Sequence, residues 1–269
     1  MDFILPFEKY KITAGAKVSF TNTRNGINYD TSDPTLVQDD YFRYKEQIYA
    51  LYADYSREYS ERFSMQLGLR MEHTRTTGIS EAKDTEDKHD YTRLFPTVYL
   101  LYSPTDGHAL NFSFSNRISR PSQNMVNPFP FYQNKYTYAC GREDLKPSYT
   151  YNVELGYTLK NNFNVSAYYS YSDDVFFQVV DLDAETNVTS FLWENFMQTH
   201  AFGLNNSYTF RTKWLQAYAQ HGVSYRRTTS SAATTSPEEK GWAYDASLRN
   251  TFFFNEKKTL LATLSGSYS

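Results

Sequence analysis

The chain has 269 residues, and its 27 basic and 30 acidic side chains leave a formal net charge of −3, with no basic stripe to gather a nucleic-acid backbone. Tyr (25) and Phe (20) supply most of an aromatic content of 18% while mean hydropathy stays at −0.65, which argues against the ordinary soluble core of Leu, Ile and Val. One cysteine, Cys140, excludes an internal disulfide framework and a cysteine-based zinc site.

Tyr joins an apolar ring to a polar tip, so it suits surfaces that are half wet and half apolar. A sugar-binding face, an adhesive protein interface and a membrane-spanning strand all present such surfaces, and composition does not choose among them. No stretch reaches the roughly 18 apolar residues of a transmembrane helix, so any membrane crossing falls to strands. Met1 is not followed by the charged and apolar regions of a secretion signal, and if the chain does cross a membrane with strands it is expected to begin downstream of one.

Along the chain, Thr23 to Asp40 reads as a first long polar loop and Arg57 to Arg62 as a first short turn. Past that turn the odd positions are Phe63, Met65, Leu67, Leu69 and Met71, and the even ones Ser64, Gln66, Gly68, Arg70 and Glu72. A period of two puts one set on each face of a strand. A long loop, Ser80 to Asp90, and a short turn, Pro104 to His108, precede Leu110, Phe112 and Phe114 against Asn111, Ser113 and Ser115. The longest loop runs from Ser119 to Ser148. Next come Tyr151, Val153, Leu155, Tyr157 and Leu159 against Asn152, Glu154, Gly156 and Thr158. After a turn at Lys160 to Asn162, Val165, Ala167, Tyr169 and Tyr171 oppose Ser166, Tyr168, Ser170 and Ser172. Asp181 to Asn187 and Thr228 to Lys240 read as long loops, Arg211 to Lys213 and Glu256 to Lys258 as short turns.

No comparably long segment has the 3.6-residue period of a helix, so the chain is all-β. About eleven strands are expected, several of 10 residues or longer against a usual mode of about 5–6. A tilted strand needs about 9–11 residues to cross a bilayer, and short turns alternating with long loops follow the outer-membrane rule. Aromatics gather near the short turns (Tyr55, Tyr59, Phe63, Phe163, Tyr208, Phe210, Trp214, Phe252, Phe253, Phe254) and where strands leave the long loops (Phe42, Tyr44, Tyr91, Phe95, Tyr149, Tyr151). Two such girdles are what the two interfaces of a bilayer favour. The Phe/Met/Leu/Tyr face is expected to touch lipid. The polar face, with Arg70, Glu72, Asn111, Asn152 and Glu154, is expected to line a lumen.

The Arg117 to Lys146 stretch carries the candidate ligand contacts Arg117, Arg120, Asn124, Asn127, Tyr132, Tyr136, Tyr138 and Arg142. Aromatic platforms with amide or guanidinium donors suit glycans or anionic chelates. The plainer reading is that Asn127-Pro128 and Lys146-Pro147 are turn devices and the tyrosines pack the loop onto the rim. His73, His89, His108, His200 and His221 have no metal-ligand spacing. Asp173, Asp174, Asp181, Asp183 and Glu185 read as a solvated rim ahead of a weak Ca²⁺ site. Asn187-Val188-Thr189 matches a glycosylation acceptor, a reading that would fail in a bacterial outer membrane. Cys140 reads as incidental, and no nucleophile or paired-carboxylate motif points to an enzyme. No cofactor is implied.

The stretch from Arg117 to Tyr157 contains R-I-S-R-P-S, N-P-F-P-F-Y at Asn127 to Tyr132, Y-T-Y at Tyr136 to Tyr138, and L-K-P-S-Y-T-Y-N-V-E-L-G-Y from Leu145 to Tyr157. This resembles the barrel of the TonB-dependent receptor class, in particular its outer membrane protein β-barrel family branch. Phe63 to Thr74 and Leu94 to Ser103 fit the same pattern. The resemblance implies a receptor in the bacterial outer membrane, in contact with its lipid, that binds a chelated metal, vitamin or glycan outside. It implies partners too: the receptor's own plug domain, and the TonB complex that pulls the plug. No plug, TonB box or terminal aromatic strand is visible here, so residues 1–269 are expected to form one partial antiparallel up-and-down transmembrane β-barrel. The rival reading is a soluble or surface-displayed β-sheet protein gripping carbohydrate, in which the Phe63–Met71 stripe would be buried between two sheets.

Overall fold

Alternating faces of this length call for strands longer than a soluble sheet uses, and the computed structural model, which describes residues 2–28, 39–80, 84–232 and 236–269, carries fourteen in one sheet. In chain order they are β1 (Asp2–Pro6), β2 (Tyr10–Asn28), β3 (Asp39–Ser60), β4 (Phe63–Ser80), β5 (Thr85–Tyr102) and β6 (His108–Ser119). A four-residue helix α1 (Gln123–Val126) and the short strands β7 (Phe131–Asn134) and β8 (Thr137–Cys140) follow. The sheet then resumes with β9 (Ser148–Leu159), β10 (Phe163–Asp183), β11 (Val188–Arg211), β12 (Leu215–Ser230), β13 (Glu238–Phe253) and β14 (Leu261–Tyr268). Twelve strands form an antiparallel meander, β1-β2-β3-β4-β5-β6-β9-β10-β11-β12-β13-β14. That is one strand beyond the eleven expected: β1, joined to β2 by a short turn. The other two strands, β7 and β8, lie inside the Ser119–Ser148 loop.

Turn chemistry places the hairpins. Lys160 and Asn161 both have positive φ (49° and 55°), and Asn162 N–H donates to the Leu159 carbonyl at 3.0 Å. Two successive left-handed residues are the signature of the type I′ turn, whose twist matches that of paired strands. At the opposite end, Asp183 accepts backbone hydrogen bonds from Glu185 (2.9 Å) and Thr186 (3.3 Å), and Asn187 closes the turn with φ 56°. Four expected loops are shorter than foreseen: Asp181–Asp183 belongs to β10, and Thr228–Ser230 and Glu238–Lys240 belong to β12 and β13. Thr23–Asn28 and Asp39–Asp40 continue β2 and β3, and Thr85–Asp90 belongs to β5; residues 29–38 and 81–83 lie outside the described set. Polar strand extensions of this kind look like loop in sequence because neither face is apolar.

Facing rows show which side meets lipid. Leu51, Met71 and Leu94 stand directly opposite one another, as do Phe114, Val153, Tyr169, Phe202, Tyr225 and Trp242. Among them Leu51 is 57% exposed, Leu94 55%, Phe202 45% and Trp242 67%. Among the described residues no second sheet covers them, so the stripe faces outward. On β4 the apolar run from Phe63 to Met71 spans about 26 Å along the strand, or about 20 Å along the normal after a tilt of about 40°, close to the ~25 Å belt of an outer-membrane barrel.

The girdle near the short turns stands outward, with Tyr208, Phe210, Trp214 and Phe254 all exposed and Tyr59 and Phe63 rings 5.5 Å apart. The second girdle is built from other residues than expected. Phe42, Phe95 and Tyr149 are buried (1%, 6% and 8% exposed), and Tyr44 packs beside Phe42. Only Tyr151 of the named set is an exposed ring on the outward face. On β2 and β3 the outward rings of Phe20 and Tyr49 meet edge-on at 5.9 Å. Phe42, Tyr44, Tyr91 and Phe95 fall on the polar-face parity, opposite Ser80, Gly78, Thr74 and Arg70, so the register turns them inward.

Candidate functional site: a strap across the polar face

Above Thr97 the sheet opens. β5 pairs with β6 only from Thr97–Ser115 to Tyr102–Leu110, although β5 continues upward with β4 and β6 with β9. Pro96 stands just past the last pair and has no N–H to donate, so the ladder has a reason to stop there. The Ser119–Ser148 segment fills the opening and runs across the polar face as a strap. Thr85 donates to the Glu143 carboxylate (2.9 Å) and His89 Nε2 meets the Glu143 carbonyl oxygen (3.0 Å), while the Arg93 guanidinium lies over the Tyr149 ring at 4.8 Å.

The far end of the strap reaches β11. β12 ends at Ser230 opposite Met197, which leaves the upper edge of β11 unpaired on that side. β8 takes it in parallel, Thr137–Cys140 against Thr189–Leu192, and Thr189 N–H donates to the Tyr136 carbonyl at 2.8 Å. Between these anchors Phe42, Val126 and Leu145 form a small buried core, with Met125, Tyr44, Phe176 and Trp193 packed on it. That core links β3 to β10 and β11 across the polar face.

Two polar devices hold the strap. Glu72 is 2% exposed and receives Arg120 Nη2 at 2.6 Å and an ion pair from Arg70; Arg120 also donates to Thr74 Oγ1 at 3.3 Å. A buried carboxylate demands such partners, since an unpaired one costs several kcal/mol. On the other side β10 bulges at Asp173–Asp174, with Asp174 at φ 51°. Asn195 Nδ2 donates to the freed Asp174 carbonyl (2.7 Å) and to the Lys146 carbonyl (2.9 Å), and its Oδ1 accepts from Lys146 N–H (2.8 Å). Gly141 sits where no side chain fits: a Cβ there would lie 2.5 Å from the carbonyl oxygens of both Asn127 and Met125. Those are the oxygens that Gly141 and Arg142 N–H groups bind at 2.7 and 2.8 Å.

The candidate contacts divide accordingly. Arg120 is committed to Glu72. Asn127 is 8% exposed, and its Oδ1 accepts from Phe129 N–H at 3.1 Å, a turn role. Arg142 bridges Asp144 (2.5 Å) and Glu194 (2.7 Å); its hydrogen bond holds the Asp144 carboxyl below the usual carboxylate range. Arg117 lines a hollow of about 550 Å³ with Lys17, Asp54, Arg70 and Phe95. Asn124 borders a second hollow of about 420 Å³ with Phe131 and Trp193. The tyrosines belong to the β7–β8 hairpin: Tyr132 and Tyr138 rings stand 5.7 Å apart, and Tyr136 is 50% exposed under the Lys135 ammonium. Among the described residues no group of His, Cys, Asp and Glu is placed to hold a metal. Asp173 and Asp183 serve the bulge and a turn. Sequence pattern alone does not mark Glu72, Gly141 and Asn195 as anchors of this loop. The W-E-N-F run at Trp193–Phe196 was the available signal, a polar pair interrupting an aromatic strand.

Comparison with known proteins agrees with this geometry. The Outer membrane protein beta-barrel family matches residues 1–269, and no curated protein matches the chain. In fold it is similar to the FrpB iron transporter from Neisseria meningitidis (F5-1 variant; 13% identity, TM-score 0.58), covering 93% of this chain and 42% of that one. The copper transporter OprC (12% identity, TM-score 0.60) is covered to the same 42%, with 94% of this chain aligned. The ferric enterobactin receptor of Pseudomonas aeruginosa, solved as a Q482A mutant with enterobactin, gives TM-score 0.57 at 13% identity over 95% of this chain and 46% of its own. This chain therefore spans less than half the length of these structures. Matched along its length and girdled by an apolar outward face, the chain belongs to the outer membrane protein beta-barrel family and lies in the bacterial outer membrane.

Proposed function

We propose that this chain is part of the barrel of an outer-membrane receptor that takes up a ligand with TonB-derived energy. In this reading the remaining strands and a plug domain are supplied by the full-length protein. The observation that carries it is the strap: a folded loop anchored at both ends over the polar face, on the long-loop side, which is the outer side by the outer-membrane rule. A loop tied down this firmly presents a preformed surface, so binding costs little ordering entropy. Arg117, Tyr132, Tyr136 and Tyr138 keep surface toward solvent or the hollows and are the proposed ligand contacts, while Arg120, Asn127 and Arg142 position the strap. Neighbours named for iron, copper and enterobactin support a chelated metal as the cargo class, alongside the glycan that the tyrosines also suit.

The test is uptake by whole cells expressing the full-length protein, with and without TonB, against ferric chelates, copper(II) and oligosaccharides. The expected result is TonB-dependent uptake of one class that falls about tenfold or more in a Tyr132→Ala/Tyr136→Ala/Tyr138→Ala variant. Uptake indifferent to TonB would overturn the energetic part, and uptake indifferent to the tyrosines would overturn the site.

A further inference from the structure

Where the apolar belt ends on β2–β5, the outward face turns basic. Above the row of Val18, Tyr49 and His73, the next rows across the sheet read Phe20, Gln47, Arg75, Asp90; then Asn22, Lys45, Thr77, Lys88; then Arg24, Arg43, Ile79, Glu86. These three rows hold five cations and two carboxylates. Both carboxylates are engaged within the patch, Asp90 by Arg75 at 2.9 Å and Glu86 by Lys88 at 3.0 Å. Arg43 and Lys45 take part in none of the ion pairs found among the described residues, and Arg24 stands directly opposite Arg43. Like charges directly opposite destabilise a strand pair, so a patch of this kind gains from an anion shared between its cations.

Height identifies the anion. Each row rises about 6.6 Å along the strand, or about 5 Å along the membrane normal at a tilt of about 40°. The Arg75 row then lies about 5 Å above the edge of the belt, the Lys45–Lys88 row about 10 Å and the Arg24–Arg43 row about 15 Å. The headgroup layer on each side of a bilayer is roughly 5–8 Å deep, so the Arg75 row stands within it, the Lys45–Lys88 row just beyond it and the Arg24–Arg43 row well above it. They share the outward face of β2–β5 with Val18, Leu51, Leu69 and Met71, so whatever lipid covers those side chains brings its headgroup to Arg75, Lys45 and Lys88. A soluble partner would have to displace that lipid.

We propose that the outward face of β2–β5 binds the phosphate-bearing headgroup of an outer-leaflet lipid, with Arg75, Lys45 and Lys88 as its cationic contacts and Phe20 and Tyr49 against the acyl–headgroup boundary. Two mobile ammonium groups and a guanidinium fork suit a phosphate that approaches from the side.

The experiment is native mass spectrometry of the full-length protein in mild detergent, offered bisphosphorylated lipid A, the same lipid dephosphorylated, or inorganic phosphate alone. Retention of the phosphorylated lipid should exceed that of the dephosphorylated form by about tenfold or more. It should persist in millimolar inorganic phosphate and drop to the dephosphorylated level in an Arg75→Gln/Lys45→Gln/Lys88→Gln variant whose heat-modifiable gel migration shows that it is folded. A lumen-face variant, Lys17→Gln/Arg226→Gln, should retain lipid as the unaltered protein does. Equal retention of the two lipids by the unaltered protein would overturn the proposal without any variant. So would displacement by inorganic phosphate, a folded triple variant that still holds lipid A, or an equal loss in the lumen-face control.

Discussion

Glu72 is the residue on which the strap turns. Its polar neighbours on β4 read from the sequence as a solvated lumen wall, and a solvated carboxylate needs no partner. In the folded chain its side chain is 3% exposed between Arg70 and Arg120, so the same residue becomes a buried charge that must be compensated. Arg120→Ala is expected to destabilise the strap by about 2–3 kcal/mol. That is below the 3–5 kcal/mol of a fully buried pair, because Arg70 remains and Arg120 is itself partly exposed. Limited proteolysis checks this: cleavage within Ser119–Ser148 should accelerate while the sheet stays protected. Unchanged protection would mean that Asn195 and the β8–β11 pairing hold the strap by themselves. The sequence offers Arg120 only as a candidate ligand contact and does not show its Glu72 partner, because Glu72 lies 48 residues earlier and only the β4–strap contact brings the two together.

At the level of elements, period-two alternation carried nearly all the information. The faces of β4, β6, β9 and β10 are those that the sequence pattern assigns, since a strand slipped by one residue would exchange lipid and water for every side chain. The consequence is a directional test on adjacent residues. Leu67→Arg, near the middle of the apolar belt, is expected to cost about 2–4 kcal/mol of folding stability in lipid, whereas Gln66→Arg on the polar face should change it by less than about 1 kcal/mol. Urea titration of the protein refolded in bilayers measures both. Similar costs at the two positions would contradict the assigned faces. Element ends were less legible. Polar strand extensions such as Thr23–Asn28 and Thr85–Asp90 satisfy their backbones by pairing above the membrane, where no apolar stripe records the strand.

For the whole molecule, the decisive quantity is uncovered apolar surface. Residues such as Val18, Phe20, Leu69, Phe202 and Trp242 are each 45–67% exposed on one continuous face, far more than a soluble monomer leaves contiguous. The chain is expected to stay monodisperse by light scattering only in micelles or lipid and to aggregate when detergent is removed. A stable monomer in plain buffer would favour the rival carbohydrate-binding sheet, which needs that face buried.

Taken alone, the sequence determined that the chain is all-β, that its strands are long enough to cross a bilayer, that short turns and long loops lie on opposite ends, and which side chains face lipid. Each of these is a local property, set by the pleat, by turn residues and by the contrast between neighbouring positions. Only the tertiary structure decided that the upper aromatics turn inward, that the longest loop is a strap pinned to β4, β10 and β11, and that the candidate arginines and tyrosines divide into positioning and exposed groups. Those outcomes rest on contacts between residues tens of positions apart, which no periodicity encodes.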